Sequence, residues 1–152
     1  MSGSGQPGFN RFALARARRS AVQAYYQWQI TQQPIKDIIN EFEAERTELK
    51  KADIEYFRRL LHGMVDNAAR LDAELGPLLD RPVEELDPVE RAVLHLGGYE
   101  LLYCPQTPWR VVINEAVELA KMFGAEQSHK YINGILDKLA RRLRATEITG
   151  TS

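Results

Sequence analysis

An all-α bundle of roughly six or seven helices is the fold this sequence predicts, and three observations predict it. Apolar residues recur at helical spacing along most of the chain. Proline and glycine breaks divide that pattern into ordinary helix lengths. No window alternates apolar and polar residues for long enough to make a strand. The 152 residues, 44% hydrophobic and 27% charged, suit one domain with a real core. The expected layout is a flexible tail over residues 1–9, a helical domain over 10–145 and a second flexible tail over 146–152.

The elements follow in order. A first helix runs from Asn10, the expected N-cap, to Thr31, with Phe12, Ala17, Ala21, Ala24, Tyr25 and Trp28 as its apolar stripe. Gln32-Gln33-Pro34 interrupts it. A second helix runs from Pro34 to Ala44 on Ile35, Ile38, Ile39 and Phe42. A third starts near Lys51 with Ile54, Phe57, Leu61, Val65 and Ala68, and continues towards Leu75. Gly76-Pro77 and Arg81-Pro82 mark breaks. Asp87-Pro88 is an N-cap with proline at the first helical position, and Val89, Ala92, Val93, Leu96 and Tyr103 follow. Thr107-Pro108 repeats that start signal for a helix on Val112, Ala116, Leu119, Ala120 and Phe123, stopped by Gly124. Ser128 opens the last helix, which carries Ile132, Ile135, Leu136, Leu139 and Leu143. Its basic end, Lys138, Arg141, Arg142 and Arg144, suits the helix dipole.

The formal net charge of −1 argues at first against a nucleic-acid partner. Its distribution reverses that impression. Residues 1–30 carry +4 through Arg11, Arg16, Arg18 and Arg19, residues 61–90 carry −6, and residues 121–152 carry +3. Basic ends and an acidic middle direct attention to an anionic partner at one surface and a cationic one at another. No signal peptide is visible, and no stretch approaches the roughly 18 apolar residues of a membrane span. The lone Cys104 has no internal disulfide partner, which suits a reducing cytosol, and packing explains it better than nucleophilic chemistry.

Catalytic signals are sparse. None of His62, His95 and His129 has a second His or Cys at the spacing of a helical metal site. Gly97-Gly98 lies in a helical pattern with no strand before it, the wrong setting for a dinucleotide fingerprint. The acids of residues 84–90 form a solvated or partner-facing surface more readily than a carboxylate pair. The sequence therefore predicts neither enzyme activity nor a cofactor.

What remains is an adhesive surface. Arg16, Arg18 and Arg19 bring together guanidinium groups that fork onto phosphates and stack on bases. A solvated helix start is the bland alternative, and the residues alone do not separate the two. In Ser128-His129-Lys130-Tyr131, Tyr131 lies at the edge of the apolar stripe with Lys130 further out. An aromatic beside a cation is suited to stacking an unpaired base while holding its phosphate. The competing reading has Tyr131 sealing the core margin with its hydroxyl in water.

These residues also carry a resemblance. The stretch from Pro108 to Lys138 includes Ile113-Asn114-Glu115-Ala116-Val117-Glu118-Leu119-Ala120-Lys121, Phe123-Gly124, Lys130-Tyr131 and Ile132-Asn133-Gly134-Ile135-Leu136-Asp137-Lys138. Upstream stand Ala17-Arg18, Ala21-Val22-Gln23-Ala24, Tyr26, Trp28-Gln29, Tyr56-Phe57 and Tyr99-Glu100-Leu101. As an ordered set, from Ala13 to Leu143, they resemble the NusB family of bacterial transcription antitermination factors. The resemblance implies an all-helical domain of two small bundles without enzymatic activity, working in the cytoplasm and not at a membrane. It implies a pair with the ribosomal protein NusE that binds the single-stranded boxA element of nascent rRNA transcripts. Other Nus factors and RNA polymerase complete the antitermination complex. By position, Arg16 and Arg18 match the family's arginine-rich RNA-binding start, with Arg19 and Arg11 compensating where Leu14 and Ala15 replace further arginines. Lys121, Lys130 and Tyr131 match a second RNA-facing patch, and Tyr26, Glu84 and Glu90 the partner side. Gln127 stands where an acid is common, so RNA binding stronger than that of a Gln127→Asp variant is expected. Some relatives self-associate through the partner surface, which leaves a homodimer of the free protein open. Certain rRNA cytosine methyltransferases carry a similar helical domain before a catalytic one. This chain stops at Ser152 with only Cys104, so the stand-alone reading is preferred to it and to a helical DNA-binding or structural module.

Overall fold

The computed structural model describes residues 7–150, with side chains from Arg11 onward. The outermost residues of both expected tails lie outside that range. The described residues form eight α-helices and no strand: α1 Pro7–Thr31, α2 Ile35–Glu45, α3 Ile54–Asp66, α4 Ala68–Leu75, α5 Pro88–Tyr103, α6 Trp109–Phe123, α7 Ser128–Leu143 and α8 Ala145–Thr149. The chain divides into two units, residues 1–65 and 66–152. No helix among the described residues is long and apolar enough to cross a membrane.

In the first unit α1 begins at Pro7, so Asn10 lies inside the helix and does not cap it. A proline pre-sets the backbone angle that a first helical turn needs. Gln32, at φ 59°, ends α1 in the left-handed region, and its N–H reaches the Trp28 carbonyl at 2.9 Å. Ala17, Ala21, Ala24 and Tyr25 are buried as the stripe predicts, but Phe12 is 63% exposed and stands outside the core. α1 packs against α2 and against a 3-10 turn, Thr47–Lys51, that places Leu49 in the core. Lys51 closes this turn, and the third helix starts later, where Asp53 Oδ1 accepts from the Tyr56 N–H at 3.0 Å. Phe42 and Phe57 stack with centroids 6.1 Å apart.

The second unit is built on α5, whose residues from Ala92 to Leu101 are all buried, with α4, α6 and α7 packed against it. Asp87 caps α5 as expected, accepting from the N–H groups of Val89 and Glu90 at 2.7 and 3.4 Å. Gly97 lets α7 approach: a Cβ there would meet Leu136 Cδ1 at 2.7 Å. The helix expected to run on to Leu75 breaks at Asn67, whose side chain accepts from the Tyr103 hydroxyl at 3.0 Å. Gly124 does stop α6, but in an extended conformation (φ −93°) and not the left-handed one. A Cβ at Gly124 would sit 2.8 Å from the Ala120 carbonyl oxygen.

The C-terminal boundary also differs from expectation. Residues 145–149, assigned almost entirely to a tail, form α8, and Glu147 fastens it by accepting the Trp109 N–H at 3.0 Å. That bond serves the first N–H of α6, where a Thr107 side-chain cap was expected and none is made. Thr107 instead offers its carbonyl to Arg144.

Candidate nucleic-acid interface

The α1 arginines divide by helical angle. At 100° per residue Arg16, Arg19, Tyr26 and Ile30 share a face with Phe12, whereas Arg18 points to the other side. Burial follows that division. Arg16 and Arg19 are half-buried, Tyr26 is 42% exposed, and Arg18 is only 3% exposed with its guanidinium 5.6 Å from the Tyr56 ring centroid. Arg18 is therefore a core-side arginine. Arg11 starts at nearly the angle of Arg18 but is exposed near the start of the helix, and its guanidinium lies 5.7 Å over the Phe12 ring on the open face.

In the second unit the end of α6, the connection after it and the start of α7 carry the other residues expected to face RNA. Lys121 is exposed in the last turn of α6 and pairs with Glu118 at 3.3 Å. Gln127 stands exposed at the N-cap position of α7 and makes no capping bond. Lys130 is exposed one turn in, and Tyr131 beside it is half-buried. The Tyr131 hydroxyl does not simply face water: it donates to Asp80 Oδ1 at 2.8 Å and accepts the Asp80 N–H at 3.3 Å.

Sequence reasoning missed Arg81. Its guanidinium lies 4.9 Å from the Tyr131 ring centroid and forks onto Asp80 at 2.7 and 3.2 Å. The signal was available, since Arg81 precedes a proline and is disfavoured in helix, which leaves its side chain to project from a loop. Bonds from Arg81 and then Tyr131 hold the Asp80 carboxyl down at about 2, so it is ionised throughout the neutral range. Arg81 is correspondingly raised by its bond to Asp80. Burial is the main cause that pushes the Tyr131 phenol up, keeping it a neutral donor.

The residues expected on a protein-partner side are placed as follows. Glu84 is exposed in a 3-10 turn, Val83–Glu85. Glu90 is half-buried and accepts from Ser128 Oγ at 2.7 Å, which ties the start of α5 to the start of α7.

The sequence profile described as NusB family matches residues 15–141. The chain belongs to the NusB family. Two relatives named transcription antitermination protein NusB show the extent of the match. That of Nitrosococcus oceani is 50% identical over 133 residues, covering 88% of each chain. That of Shewanella amazonensis is 54% identical over 127 residues, covering 84% of this chain and 94% of its own. Among solved structures, T. maritima NusB superposes with a TM-score of 0.72 at 33% identity, covering 84% of this chain and 90% of that one. A NusB–NusE complex with dsRNA gives 0.70 at 23% identity, covering 84% and 96%, and so shares the fold. Family membership makes this chain a transcription antitermination protein and not an enzyme.

Proposed function

We propose that this chain acts in the cytoplasm by joining NusE and binding single-stranded boxA RNA in nascent rRNA transcripts. With other Nus factors and RNA polymerase it then suppresses premature termination during rRNA synthesis. The observation that carries the reading is the Tyr131 neighbourhood. An aromatic ring with exposed Lys130 beside it and a guanidinium over it offers base stacking and phosphate contacts at one place. Arg16 and Arg19 supply further cations on α1 and Lys121 another at the end of α6, while neutral Gln127 before α7 adds an amide without the repulsion of an acid. Arg18 contributes from beneath, through its packing on Tyr56. Tyr26 and Glu84 are the exposed groups we assign to the basic ribosomal protein. Glu90 adds negative field there, its carboxylate already bonded to Ser128. The partner classes rest on the family and on the complex of a protein of this fold with NusE and RNA.

The test is competition for the chain, with and without NusE, among boxA RNA, a scrambled single strand, duplex RNA and duplex DNA. Preference for boxA that NusE enhances is expected; equal binding to duplex DNA contradicts the reading. If Arg16, Arg19, Lys121 and Lys130 all meet phosphates, log affinity falls against log salt with a slope of about −3.

A further inference from the structure

Asp80, Arg81 and Tyr131 form a closed set of contacts that the family resemblance does not account for. Arg81 gives Asp80 a forked pair of hydrogen bonds and lays its guanidinium against the Tyr131 ring, while the Tyr131 hydroxyl holds the same carboxylate. The Arg81 and Asp80 side chains are 39% and 61% exposed, so the pair is solvated and weakly held. A forked guanidinium–carboxylate bond has the same donor geometry that a phosphate accepts. A guanidinium flat on an aromatic ring is also a tier on which a base stacks.

We propose that Arg81 contacts RNA and that Asp80 is its intramolecular competitor. Asp80 parks the guanidinium over Tyr131 in the free protein, and an RNA phosphate takes the carboxylate's place on binding. The inference rests on the RNA reading above and adds two residues to that site. Lys130, exposed next to Tyr131, is placed to share the incoming phosphates. Glu90 acts on Arg81 electrostatically but is anchored by Ser128, so among the described residues Asp80 makes the exchangeable bond. Because Asp80 stays ionised near neutral pH, the competition is always present in the free chain.

A double-mutant cycle tests this by fluorescence anisotropy of labelled boxA RNA with the full chain and NusE. Asp80→Asn is expected to tighten binding by about threefold. Arg81→Ala is expected to weaken it by about tenfold, and the double variant to match Arg81→Ala. Arg81→Lys, which keeps the charge without the fork or the flat plane, is expected to recover only part of the loss. Unchanged affinity in Asp80→Asn overturns the proposal, as does an Arg81→Ala variant that binds as well as wild type. Equal tightening by Asp80→Asn with and without Arg81 also overturns it, since removal of a nearby charge then explains the effect. Full binding by Arg81→Lys removes the fork and the stack. Thermal melts near wild type show that the variants are folded. Should wild type and Tyr131→Ala bind alike, the RNA reading itself falls; should Tyr131→Ala alone weaken binding, only the role of Arg81 falls.

Discussion

Arg144 shows how much a single side chain holds together in the second unit. Buried at the end of α7, it donates to the carbonyls of Glu100, Leu101, Cys104 and Thr107 at 2.9–3.1 Å and to Glu147 Oε1 at 2.6 Å. Those carbonyls lie at the end of α5 and in the loop after it, and those of Glu100 and Cys104 also accept the N–H groups of Cys104 and Thr107 at 3.0 and 2.9 Å. Replacing Arg144 with Met takes a charged donor from all four carbonyls and from Glu147. We expect a loss of about 3 kcal/mol or more in urea unfolding, and Arg144→Lys to rescue little of it. Its basic character was legible as a helix-end cation, but its acceptors come from some forty residues upstream, and no local pattern reveals them.

His95 is a second buried polar residue, fully enclosed and 2.6 Å from Asp72 Oδ1, with Arg91 on the other carboxylate oxygen at 2.6 Å. Burial pushes the His95 imidazole below its ordinary 6.5, against the pull of Asp72. Burial would raise Asp72, but the bonds from His95 and Arg91 outweigh it and hold the carboxyl below 3.8. Both folded-state values are depressed, so both groups stabilise the fold above their unfolded values and lose that contribution as pH falls. Melting temperature is therefore expected to decline on acidification from about neutral through the histidine range and again in the carboxylate range. A His95→Gln variant should flatten the first decline. A wild-type melting temperature that rises between pH 7 and 5 contradicts this assignment.

At the scale of elements, one glycine of α5 and the glycine of α7 make opposite predictions. Gly97 faces Leu136 of α7, and Gly97→Ala drives a methyl into that side chain, with an expected cost of about 1–3 kcal/mol. Gly134 lies exposed in α7 with nothing near its absent Cβ, so Gly134→Ala should stabilise by about 0.5–1 kcal/mol. Chemical denaturation of both variants checks the pair. Helices with local start signals were legible: Asp87-Pro88 caps α5 through the bonds the motif implies. The break at Asn67 was not, because the apolar period runs straight through it and Tyr103, which holds the Asn67 side chain, is distant in sequence. The α1 arginines were legible as a cluster, yet only their angular positions separate inward Arg18 from Arg16 and Arg19. The place of Tyr131 at the edge of the core was legible from its spacing. Its partners Asp80 and Arg81 sit in a loop about fifty residues earlier, which periodicity does not reach.

For the whole molecule, the near-neutral total conceals a division of labour. The acidic stretch over residues 61–90 carries Glu84 and the α5 start, and the net basic stretches, residues 1–30 and 121–152, hold most of α1 and all of α7. A chain of net charge −1 is thus expected to bind RNA in a strongly salt-dependent way, through local patches and not an overall field. The stacking ring distinguishes that account from generic attraction of a polyanion. The deciding measurement is the boxA RNA affinity of Tyr131→Ala, with NusE present and the fold verified. A loss of about 1–3 kcal/mol, with Tyr131→Phe near wild type, is the result expected. An affinity unchanged within about twofold in Tyr131→Ala would leave Tyr131 a core-edge residue and contradict the account.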